Sequence, residues 1–165
     1  MKKYIFYISI FFTFTVHAQD LRLYKGDMEV SGSGEFTQSQ LGANIRFGSF
    51  IKDYMQIGVE LSALDTEFID RFALGLYIQY LFETQTYFLP YIGSGIAAST
   101  LDAELGDSES GAEFSLFTGL KYYMADNVSL NTEIFVAYSS GETFVDDYQA
   151  ADSDYGVTIG LSFYW

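Results

Sequence analysis

From Met55 to Ala63 the odd positions are Met55, Ile57, Val59, Leu61 and Ala63, and the even ones are Gln56, Gly58, Glu60 and Ser62. A period of two sends successive side chains to opposite faces of a β-strand, and no helical stripe passes through these residues. The same alternation sets Phe72, Leu74, Leu76, Ile78, Tyr80 and Phe82 against Ala73, Gly75, Tyr77 and Gln79. It returns at the end of the chain, where Tyr155, Val157, Ile159, Leu161, Phe163 and Trp165 alternate with Gly156, Thr158, Gly160, Ser162 and Tyr164. Eight such runs are predicted, at 24–36, 39–49, 54–65, 70–82, 87–100, 112–124, 128–140 and 154–165. A strand of about 11 residues, rising about 3.3 Å per residue and tilted near 40°, covers about 28 Å, the height of the apolar band of a membrane barrel.

The chain is 49% apolar, yet its body holds no run of the roughly 20 apolar residues that a spanning helix needs. The one compact apolar stretch is at the start, where Lys2 and Lys3 precede the uncharged residues Tyr4 to Val16 and Val16-His17-Ala18 supplies small residues for cleavage. Residues 1–18 are therefore expected to be a cleaved signal peptide for Sec-dependent export, leaving 19–165 as one domain. Removing Lys2 and Lys3 takes the net charge from −14 to −16, and His17 leaves with them. A chain without Cys or His offers no disulfide framework, thiol nucleophile or Ser-His pair, and its negative charge disfavours nucleic acid. No cofactor and no enzymatic activity are expected.

The runs are joined unequally. Tight connections follow the second, fourth and sixth (Phe50 to Asp53, Glu83 to Thr86, Met124 to Asn127), and longer acidic ones follow the fifth and seventh. Short turns at one end and long loops at the other are the pattern of an outer-membrane barrel, with the tight turns in the periplasm. A weak echo 73 residues apart relates Phe50 through Glu60 to Tyr123 through Glu133. Volume decides which face points outward. An eight-stranded barrel has room inside for side chains and little else, so a face of roughly five large apolar groups per strand would overfill it. The Gly-rich polar face must point in, and the Leu, Ile, Val and Phe face must meet lipid. Closure also leaves no unpaired strand edge in hydrocarbon.

The N-terminal signal, the eight runs, the turns Gly48-Ser49-Phe50-Ile51-Lys52-Asp53-Tyr54 and Lys121-Tyr122-Tyr123-Met124-Ala125-Asp126-Asn127, the strand Pro90-Tyr91-Ile92-Gly93-Ser94-Gly95 and the final Trp165 resemble the small outer-membrane β-barrels grouped with OmpA, OmpX and OmpW. The resemblance implies an eight-stranded antiparallel up-and-down transmembrane barrel. It also implies that Val157, Ile159, Leu161, Phe163 and Trp165 form the C-terminal signal read by the barrel assembly machinery, with periplasmic chaperones as partners before insertion. Phe is usual at the last position and Trp departs from it.

Alternation places the charges Arg46, Glu60, Lys121 and Glu133 on the inward face, with Glu29, Glu35 and Glu113 nearer the strand ends. Lys121 and Glu133 flank one tight turn and are expected to be opposite or diagonal neighbours. These groups form either a satisfied polar plug or a filter for ions. Asp102, Glu104, Asp107 and Glu109 are candidate oxygen ligands for a divalent cation in the acidic loops, with Arg71 as an outer-end cation. Tyr24, Phe50, Tyr54, Phe82, Tyr87, Phe88, Tyr122 and Tyr123, with Phe163 and Trp165, suit an interfacial girdle. The predicted role is a structural or surface-interaction barrel in the bacterial outer membrane. Lipids and lipopolysaccharide are expected partners, an extracellular ligand or divalent cation at the loops is another, and a monomer is expected. A narrow channel for small solutes, as in OmpW, is the alternative.

Overall fold

The computed structural model describes residues 23–37, 41–65, 69–103, 108–146 and 149–165. The signal-peptide segment 1–18 lies outside them. Among the described residues ten strands follow in order: β1 (Met28–Thr37), β2 (Leu41–Lys52), β3 (Met55–Asp65), β4 (Ile69–Leu81), β5 (Phe88–Ala103), β6 (Glu109–Ala125), β7 (Val128–Ser139), β8 (Phe144–Asp146), β9 (Gln149–Ala151) and β10 (Ser153–Tyr164). Eight of them close into an antiparallel barrel in the order β1-β10-β7-β6-β5-β4-β3-β2, while β8 and β9 pair only with each other. The barrel closes where β1 meets β10, from Glu29 opposite Tyr164 to Thr37 opposite Gly156.

Exposure confirms the direction of the two faces. Leu76, Ile96 and Ile134 are 58%, 61% and 59% exposed, whereas Gln56, Ser129 and Ser162 are fully buried. Apolar groups therefore face outward and polar groups fill the lumen, the reverse of a soluble barrel. Tyr24, Phe82, Phe163 and Trp165 ring the outside near the tight turns, and Phe36, Phe72, Phe114, Tyr138 and Tyr155 ring it near the loops. Such aromatic belts mark the two interfaces of a bilayer.

The boundaries differ from the alternation in several places. Residues 24–27 form a turn before β1, with Gly26 at φ 104° donating its N–H to the Phe50 carbonyl at 2.8 Å. β5 and β6 run on to Ala103 and from Glu109, so Asp102 and Glu109 stand on strand ends. The pattern hid this because Leu101 puts an apolar side chain on the inward parity, where it is 2% exposed. The β8–β9 hairpin, inside the acidic connection after β7, carries no alternation long enough to register. The internal echo is real in the backbone: both hairpins carry a register shift one step before the turn, at Phe50/Lys52 and at Tyr123/Ala125.

Candidate functional site

The lumen is built in layers, beginning with an apolar floor at the turn end. Leu23, Phe50, Leu81, Leu89, Tyr123 and Tyr164 are all buried there, with Tyr54 and Tyr87 packed against them. Phe50 and Tyr123 are thus not part of an outer girdle. Each follows inward neighbours at a spacing of two (Arg46 and Gly48, Lys121), so its ring turns into the barrel and stops the lumen. The segment before β1 braces this floor, since the Lys25 N–H donates to Asp53 Oδ1 at 3.0 Å and the Tyr54 N–H to the Leu23 carbonyl at 3.3 Å.

Above the floor Lys121 Nζ pairs with Glu29 Oε1, both side chains being 3% exposed. Lys121 Nζ also donates to Tyr164 Oη at 3.3 Å and lies 5.5 Å from the ring centres of Tyr91 and Tyr164. Glu29 accepts from Ser162 Oγ at 2.5 Å and from Gln56 Nε2 at 3.0 Å. Gln56 Oε1 in turn accepts from Gln79 and, at 3.3 Å, from Tyr77 Oη. The Glu29 carboxylate is thus held by Lys121, Ser162 and Gln56, and hydrogen bonds of this kind are the condition under which a buried charge pair is tolerated.

The next layer centres on Arg46. Its Nε donates to Glu60, directly opposite on β3, and its two terminal nitrogens reach Glu133 on β7 across the lumen at 2.6 and 3.1 Å. Tyr91 Oη donates to the same Glu133 at 3.0 Å. The guanidinium sits 4.5 Å from the centre of the Phe117 ring and 5.4 Å from that of Tyr77. A planar fork satisfied by two carboxylates and stacked on aromatics is a site for Arg and not for Lys. Lys121 lies opposite Asn131, and Glu133 opposite Gly119, which makes Lys121 and Glu133 the diagonal neighbours expected from the turn. They do not pair with each other. Each takes a partner on the far wall, so Lys121–Glu29 and Arg46–Glu133 tie β6 and β7 to β1 and β2.

A third pair closes the loop end. Arg71 is not a surface cation: its side chain turns inward, 9% exposed, and both Glu113 carboxylate oxygens accept from its Nη2 at 2.7 Å. Parity contains that signal, because Arg71 shares a face with Ala73, Gly75, Tyr77 and Gln79. Between this pair and the Arg46 layer lies a cavity of about 50 Å³ lined by Glu35, Asn44, Glu60, Ser62 and Glu113. Between the Arg46 and Lys121 layers lies one of about 20 Å³. A single water needs roughly 10–15 Å³ of such space, so these two compartments have room for one to a few waters each.

On the outside, Asp70 and Asp102 are exposed and directly opposite in register. Asp102 accepts from Ser108 Oγ and Glu109 is exposed, while Glu104 and Asp107 lie outside the described residues. Among the described residues no group of three or more carboxylates could hold a metal ion. Val157, Ile159, Leu161, Phe163 and Trp165 all face outward, and the Trp165 ring lies 6.1 Å from that of Phe47.

Known proteins share this architecture. The N-terminal barrel domain of Pseudomonas aeruginosa OprF superposes with a TM-score of 0.69 at 15% identity, over 86% of this chain and 98% of that one. Neisserial surface protein A gives 0.62 at 15% identity, over 83% and 94%, and P. aeruginosa outer membrane protein OprG gives 0.57 at 12%, over 86% and 97%. No curated protein matches the chain in sequence. The family described as Opacity family porin protein matches residues 18–164, nearly the whole length. With the outward apolar wall and closed eight-stranded order, this match establishes that the chain belongs to the Opacity porin family of bacterial outer-membrane β-barrels.

Proposed function

We propose that the chain is a sealed outer-membrane barrel whose work is done at its surface, with both strand termini and the tight turns in the periplasm and the acidic connections outside. One observation supports this reading: an apolar floor and three cross-linked charge layers follow one another along the lumen. A solute would have to separate Arg46 from two carboxylates and Lys121 from a third in surroundings where an unpaired charge is costly. The reading assigns no catalysis, since Glu29, Glu113 and Glu133 are each engaged by a cation and closed off from substrate. Export through the Sec pathway and assembly through the outward residues Val157, Ile159, Leu161, Phe163 and Trp165 complete it.

Vesicles carrying the refolded protein test it. They are expected to swell in small neutral sugars no faster than protein-free vesicles, and swelling that scales with the amount of protein would instead support a narrow channel.

The surface role rests on the loop-end carboxylates. Asp70 facing Asp102 is a repulsive cross-strand pair, which a divalent cation shared with lipid phosphates would relieve. In lipopolysaccharide-containing bilayers, EDTA is expected to speed proteolysis at the loop end several-fold relative to Mg²⁺. An unchanged rate would remove the cation from the account.

A further inference from the structure

We propose that the connection between β7 and β10 is a displaceable cap, which opens and recloses over the loop-end mouth while the barrel stays folded. Two of its side chains plug that mouth. Thr143 is fully buried, its hydroxyl 3.1 Å from Glu113 Oε1, 2.8 Å from Ser139 Oγ and 2.9 Å from Ser99 Oγ. Phe144 is 3% exposed, and its ring centre lies 4.8 Å from the Arg71 guanidinium carbon.

Three features make this a cap and not a fixed part of the wall. First, among the described residues β8 and β9 pair with each other and with no barrel strand, so the hairpin carries its own ladder. Lifting it breaks side-chain contacts and leaves the barrel ladder intact. Second, its base is pinned at a point of close backbone approach. The Ser139 N–H donates to the Asp152 carbonyl at 2.7 Å and the Ser140 N–H to the Ala112 carbonyl at 2.9 Å. A Cβ at Gly141 would stand 2.8 Å from the Ser110 carbonyl oxygen, so strand and connection meet there through glycine. Motion is thereby confined to the part beyond Gly141. Third, among the described residues the buried Arg71 Nε has no protein hydrogen-bond partner, and lifting the Phe144 ring off the guanidinium would open that donor to bulk water.

The chain has no cysteine, which permits a direct test. In the refolded barrel a Thr143→Cys variant is treated with a bulky polar maleimide, and global unfolding is followed in parallel by loss of the heat-modifiable form. Labelling is expected at least about tenfold faster than unfolding, as local opening requires. Adding Phe144→Ala should raise the rate further. Ser162→Cys, equally buried but at the turn end, should label only as fast as the barrel unfolds. Labelling of Thr143→Cys no faster than unfolding would overturn the proposal. Should that variant fail to fold, Phe144→Cys is used with the same criterion.

Discussion

Replacing Lys121 by methionine is expected to destabilise the lipid-embedded barrel by about 3–5 kcal/mol, because Glu29 is left buried and without its ammonium. Adding Glu29→Gln should recover most of that loss. The double variant removes both charges, and the glutamine still meets Ser162 and Gln56 at hydrogen-bond distance. Urea unfolding of the two single variants and the double, read as loss of heat modifiability, gives the coupling. Additive losses would contradict the layered scheme, since they would mean that the two side chains do not depend on each other.

The second large effect is steric. Tyr91 lies over Gly119, where an added Cβ would stand 2.6 Å from the ring and also crowd the Thr132 carbonyl on the neighbouring strand. Gly119→Ala is therefore expected to cost about 1–3 kcal/mol, the range for overpacking a filled interior. Gly32 is the matched control, an outward position on β1 with nothing within 4 Å of an added Cβ. There the same substitution is expected to be neutral or to stabilise by about 0.4–1 kcal/mol, through reduced freedom of the unfolded chain. Equal losses in urea at the two sites would mean that the rings do not fill the lumen as described.

Parity made much of this barrel legible from residues alone. Alternation plus the volume of an eight-stranded interior was enough to turn Leu76 and Ile134 outward and Arg46, Glu60, Lys121 and Glu133 inward. It was also enough to place Arg71, Phe50 and Tyr123 inside, yet nearness to strand ends suggested a surface cation and a girdle. End position competes with parity, and parity prevails because the ladder continues to the last residues of each strand. The choice of partner was not legible. Lys121 and Glu133 are diagonal neighbours, but a closed barrel brings Glu29 within reach of Lys121 from 92 positions away, and only closure sets that distance. The cap was invisible for another reason. Thr143 and Phe144 sit in a connection with no period, and their burial follows from the mouth they fill.

The most direct measurement is single-channel recording of the refolded protein in a planar bilayer, beside the Glu29→Gln, Lys121→Met variant. A wild type with no steps above the bare bilayer is expected, because the floor and the charge layers lie across the lumen. Steady steps in the wild type, with an ion selectivity that changes in the variant, would contradict it and make the buried charges a filter.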